Sequence, residues 1–98
     1  VVVSGEFGRT AKINGRAGRD HWGPSFTVAL GGGGIQGGRV IGASDRYGEK
    51  PIGQPYGPAD LAATIFSRVG INPAKELHTA DGRPVKITND GRVIQELF

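Results

Sequence analysis

Glu6-Phe7-Gly8-Arg9-Thr10 follows the apolar run Val1-Val2-Val3, and Gly18-Arg19-Asp20-His21-Trp22 comes a short distance later. An acid at the end of a strand, with a loop that returns an Asp-His pair, is one way for an α/β sheet to present metal ligands at the carboxyl edge of its strands. Glu6, Asp20 and His21 are therefore the candidate ligands of a divalent metal, zinc or calcium. The same residue types also serve in loops as solvated or capping groups, so spacing alone leaves both readings open.

Basic residues surround these candidates. Arg9, Lys12, Arg16 and Arg19 precede His21, and the chain carries a formal net charge of +3. A phosphate backbone could be tracked by such a cluster. No aromatic residue interleaves it to stack bases, however, and no helix accompanies it to enter a groove, so nucleic acid is not the expected partner. A narrower role fits better. Arg9 and Arg19 are candidates for binding a small anionic group beside a metal, because a guanidinium forks onto a phosphate or sulfate.

The elements that must position these groups follow from apolar patterning. Val1 to Ser4 and Phe26 to Leu30 are continuous apolar runs of strand type, expected to be buried, and Arg39 to Ala43 is a shorter third strand interrupted by Gly42. Pro58 to Val69 is the one long helix. Leu61, Ile65 and Val69 fall four apart, Pro58 suits the first turn, and Gly70 with Pro73 ends it. Its stripe of Leu61, Ile65 and Phe66 is expected to face the sheet. Pro84 to Thr88 and Arg92 to Ile94 flank Asn89-Asp90-Gly91, which predicts a C-terminal β-hairpin. The tract Gly31 to Gly38 contains the spacing Gly32-x-Gly34-x-x-Gly37 after a strand, but no helix pattern follows to receive a pyrophosphate. It is read as a wide turn. His78 reads as a surface or loop histidine, and Trp22, among glycines and a proline, as a loop anchor.

Several of these segments, taken in order, resemble a known family. EFGRTAKIN at Glu6 to Asn14, GRDHW at Gly18 to Trp22, GGGGIQGGRVI at Gly31 to Ile41, PADLAATI at Pro58 to Ile65 and DGRPV at Asp81 to Val85 are similar to the C-terminal part of the exported bacterial family called domain of unknown function 1501. That family is placed in the alkaline phosphatase and sulfatase superfamily. The resemblance implies an α/β fold in which these residues are the C-terminal part of an alkaline-phosphatase-like sheet, with one main helix and a small C-terminal hairpin. It also implies a parent that hydrolyses phosphate or sulfate esters with metal ions, a small anionic ester as substrate, and an exported or periplasmic location. His21 matches the superfamily's last metal-binding histidine, whereas Phe7 stands where another histidine is usual. The superfamily's nucleophile lies in an N-terminal half, which becomes the expected partner of this segment. A non-catalytic exported protein that keeps the fold for binding or structure is the alternative.

Composition sets the outer bounds. Ninety-eight residues form one small unit, and 18 glycines and 6 prolines imply much loop. Without cysteine there is neither a disulfide framework nor thiolate chemistry. No apolar run approaches the roughly 18 residues that span a bilayer. The opening valines read as a strand in search of neighbours, so residues 1–98 are expected to be a single fragment of a larger domain that self-associates when isolated.

Overall fold

In the computed structural model, which describes residues 1–98, short strands alternate with long loops and one helix interrupts them. The elements in chain order are β1 (Val2–Ser4), β2 (Gly8–Arg9), β3 (His21–Trp22), β4 (Val28–Leu30), α1 (Pro58–Arg68), β5 (Glu76–His78) and β6 (Pro84–Lys86), followed by a 3-10 turn at Gln95–Leu97. The chain is thus a small α/β protein. Its strands form three separate two-stranded antiparallel ribbons, β1 with β4, β2 with β3 and β5 with β6. Two compact units divide it, Val1–Pro55 and Tyr56–Phe98. No helix is long and apolar enough to cross a membrane.

In the first unit the two apolar runs pair with each other, Val2 opposite Leu30, Val3 opposite Ala29 and Ser4 opposite Val28. Burial does not follow from that pairing. A two-stranded ribbon has no second layer to cover it, so β1 is exposed along its length and Val3 remains 64% accessible. After β4 the glycine tract turns as expected, with Gly32, Gly33 and Gly34 all at positive φ, a run that side-chain-bearing residues adopt only at a cost. The strand expected at Arg39 to Ala43 does not form. Gly42 sits at φ 79° and Val40 is almost wholly exposed, and the local pairing reduces to one bridge between Ser44 and Pro51.

The second unit is organised around α1. Pro58 and Asp60 lie in its first turn and Arg68 in its last, which suits both the missing proline donor and the helix dipole. Its buried face differs from the apolar stripe that the spacing predicts. Ala63, Thr64 and Asp60 are the buried residues, whereas Ile65 is 39% exposed and Leu61 and Phe66 are half-buried. What covers that face is the segment after Asp90. The backbone N–H of Arg92 donates to Asp60 Oδ1 at 2.7 Å and that of Ile94 donates to Thr64 Oγ1 at 3.0 Å. Ala63, Ile94 and Leu97 are the buried apolar residues of the core.

The same contacts relocate the hairpin. Asn89 and Asp90 do turn, at φ 52° and 64°. The donors of Arg92 and Ile94 are taken up by helix side chains, so these residues cannot form a strand beside Pro84 to Thr88. Pro84–Lys86 pairs instead with Glu76–His78, around a turn in which Thr79 Oγ1 accepts the N–H of Arg83 at 3.1 Å. His78 lies exposed on β5, as its reading as a surface residue requires.

Candidate functional site

The two short motifs, Glu6 to Thr10 and Gly18 to Trp22, meet as the β2–β3 hairpin. Gly8 lies opposite Trp22 and Arg9 opposite His21, and the N–H of Thr10 extends the ladder to the carbonyl of Asp20 at 3.0 Å. Because side chains alternate along a strand, Phe7 and Arg9 share one face with His21. The Phe7 and His21 rings stack with centroids 4.0 Å apart and 29° between planes, and the Arg9 guanidinium lies 5.7 Å from the Phe7 centroid. Phe7 thus covers one face of the His21 ring, and His21 remains exposed.

Most polar residues of the motifs hold the loop between the strands. Asn14 is the centre of that loop, and spacing arguments directed at charged groups passed over it. Its Oδ1 accepts the N–H groups of Arg16 at 2.9 Å and Gly18 at 3.0 Å, and its Nδ2 donates to Asp20 Oδ1 at 3.0 Å. The Asn14-Gly15 dipeptide was the available signal, since asparagine followed by glycine marks turns. Arg19 Nη1 donates to the carbonyls of Thr10 and Ala11 at 2.8 and 2.6 Å, and Arg9 Nη1 to that of Arg19 at 3.0 Å. Thr10 Oγ1 accepts the N–H of Asp20 at 3.1 Å. Arg19 is therefore a brace, and Asp20 has one carboxylate oxygen engaged in the same framework.

The opposite face of the hairpin carries Trp22, whose Nε1 donates to the Glu49 carbonyl at 2.7 Å. Asp45 shapes the receiving turn by accepting the N–H groups of Glu49 at 2.9 Å and Tyr47 at 3.2 Å, and the Glu49 contact above all holds its carboxyl below the ordinary carboxylate value. Trp22 anchors a loop, as its setting in the sequence suggested.

The proposed ligands do not assemble into a metal centre by themselves. No group of three His, Cys, Asp or Glu side chains is gathered closely enough to hold a metal ion. Glu6 lies exposed in the bend before β2, while Asp20 and His21 are sequence neighbours at the start of β3. Side-chain alternation sends those neighbours to opposite faces. Residues 1–98 alone thus do not fit a divalent ion through these three donors.

Beside the hairpin lies a cleft of about 400 Å³, whose lining includes Phe7, Arg9, Ser25, Phe26, Thr27 and Ser44. Gly8 is what allows its walls to approach. A Cβ there would stand 2.5 Å from the Ser25 carbonyl oxygen and 2.9 Å from Phe26 Cβ. Gly8→Ala is accordingly expected to cost about 1–3 kcal/mol, read as a lower midpoint in chemical denaturation. An unchanged midpoint would mean that Ser25 and Phe26 are free to retreat.

Comparison with known proteins places the whole chain in one group. No curated protein and no solved structure matches it. A family model described as protein of unknown function (DUF1501) matches residues 1–98, the full span that contains the β2–β3 hairpin, the cleft and α1, and the chain belongs to that family.

Proposed function

We propose that this chain is part of an exported, metal-dependent hydrolase of phosphate or sulfate esters, within an alkaline-phosphatase-like domain whose nucleophile lies outside residues 1–98. The observation that carries the reading is the pairing of Arg9 with His21 on one face of the hairpin. Directly opposed residues on a ribbon have Cβ atoms about 5 Å apart, close enough for one small oxyanion to meet both side chains. Arg9 would supply the charge that holds the ester. His21, fixed by its stack on Phe7, would present a ring nitrogen to an ester oxygen or to a cation. A divalent ion polarises such esters when bound, but its remaining donors would have to come from elsewhere in the parent, and no step is assigned to it.

The test is hydrolysis of 4-nitrophenyl phosphate and 4-nitrophenyl sulfate by the full-length protein, with bound metal measured in parallel. His21→Ala is expected to lower turnover by about 100-fold or more while circular dichroism stays unchanged. A wild-type protein inert toward both esters across divalent metals would sink the hydrolase reading and favour the non-catalytic one. That second reading draws support from the framework roles of Arg19 and Asp20, which would be retained in a protein that only binds.

A further inference from the structure

Asparagine or aspartate is followed by glycine at Asn14-Gly15, Asp81-Gly82 and Asp90-Gly91. Such a pair can react with itself: the glycine nitrogen attacks the side-chain carbonyl carbon of the residue before it and closes a five-membered succinimide, an intramolecular step that glycine permits because no Cβ crowds its nitrogen. The fold treats the three pairs differently. The Gly82 N–H donates to the Thr79 carbonyl at 2.8 Å and the Gly91 N–H to the Thr88 carbonyl at 2.9 Å, so both nucleophiles are engaged in turns. The Gly15 N–H donates to no protein group, and Gly15 is exposed, with nothing within 4 Å of a built Cβ. Asn14 is also the better electrophile. Its Oδ1 accepts the N–H groups of Arg16 at 2.9 Å and Gly18 at 3.0 Å, so two fixed donors face the oxygen on which negative charge develops when Cγ is attacked.

We propose that Asn14-Gly15 is a site of self-modification whose conversion releases the loop between β2 and β3. The Gly15 nitrogen gives its proton to solvent and bonds to Asn14 Cγ; the Cγ–Nδ2 bond breaks, and Nδ2 takes up protons from water and leaves as ammonia. Water then adds to either succinimide carbonyl and opens the ring to aspartate or, with the chain routed through the side chain, to isoaspartate. One water is consumed and one ammonia released, with no oxidant or reductant. The departing Nδ2 is the donor to Asp20 Oδ1 at 3.0 Å. A carboxylate takes its place against the Asp20 carboxylate, and like charges in contact repel. The change falls between the strands that carry Arg9 and His21 but does not depend on hydrolase activity.

The full-length protein is incubated in heavy-oxygen water, folded and in urea, and mapped by mass spectrometry, because each succinimide that hydrolyses takes up one solvent oxygen. Folding is expected to leave labelling at residue 14 within about threefold of its rate in urea and to slow it at Asp81 and Asp90 by about tenfold, the effect of having to break a backbone hydrogen bond before attack. Asn72 precedes Pro73, which has no N–H, and serves as the unlabelled control. Gly15→Ala fits the open space and should keep the fold while slowing labelling at residue 14 by about tenfold. Asn14→Asp, at unchanged circular dichroism, should be cut by trypsin after Arg16 several-fold faster than wild type. An Asn14 protected by folding as strongly as Asp81 and Asp90, labelling undiminished in Gly15→Ala, or an Asn14→Asp protein cut at the wild-type rate would overturn the proposal.

Discussion

Gly91→Ala is expected to destabilise the Tyr56–Phe98 unit by more than about 3 kcal/mol, enough to unfold much of a domain with so small a core. A Cβ at this position would lie 1.9 Å from the Ala59 carbonyl oxygen, 2.2 Å from its carbon and 2.9 Å from the Asp60 nitrogen. All three atoms belong to the first turn of α1, so no side chain can rotate away to make room. Relief would require the segment after Asp90 to lift from the helix. Lifting it would break the bonds of Arg92 N–H to Asp60 and Ile94 N–H to Thr64, and would uncover Ala63. Thermal and urea denaturation would read the loss directly. Gly57→Ser is the control: Gly57 precedes the helix at φ −110° with nothing within 4 Å of a built Cβ, and serine there should be neutral or better by a few tenths of a kcal/mol. A Gly91→Ala protein as stable as that control would show that the segment does not press on the helix.

Asp60→Ala is expected to cost about 3 kcal/mol, because one buried carboxylate satisfies two backbone donors from different parts of the unit. Oδ2 accepts the Gly57 N–H at 2.8 Å and caps α1; Oδ1 accepts the Arg92 N–H at 2.7 Å, with the Arg92 guanidinium Nε 3.6 Å away. Removal leaves both N–H groups without their acceptor in a partly buried setting. These contacts also hold the Asp60 carboxyl below its ordinary value, the Arg92 N–H first, then the Gly57 N–H, then the guanidinium charge. The sign of the pH effect follows from a depressed folded-state pKa. The stabilisation is fully present above the unfolded carboxyl value of about 3.9 and is lost as pH falls through the lower folded value. Asp81 and Glu96 are shifted downward as well, by the hydroxyls of Thr79 and Tyr56, but both are exposed and screened. Asp60→Asn should therefore flatten the decline of stability below about pH 4 relative to wild type. Parallel acid-denaturation curves for the two proteins would show that Asp60 is not the group concerned.

The hairpin around Asn89-Asp90-Gly91 shows where local signals stop. Its turn forms, since asparagine and aspartate tolerate left-handed backbone. Whether strands flank a turn depends on where their backbone donors find acceptors, and here those acceptors are Asp60 and Thr64, about thirty residues earlier in the chain. A spacing rule sees Asp60 as a first-turn acid and Thr64 as an ordinary helix residue. Only the fold reveals them as the seat for residues 91–94, which is also why the polar side of α1 is buried while Ile65 faces outward.

The site divides in the same manner. The order of motifs is legible in the chain, as are the helix from Pro58, the turns at the glycine tract and the family to which these motifs belong, because each rests on short-range chemistry: a missing proline donor, glycine at positive φ, apolar period and residue identity. The pairing of Val2–Ser4 with Val28–Leu30, the stack of Phe7 on His21, the bonds of Arg19 to the Thr10 and Ala11 carbonyls and of Asn14 to Asp20, and the failure of Glu6, Asp20 and His21 to gather into a metal-holding group were decided only in three dimensions. Residue type specifies which donors and acceptors exist. Antiparallel register and the competition among buried backbone groups determine which of them meet.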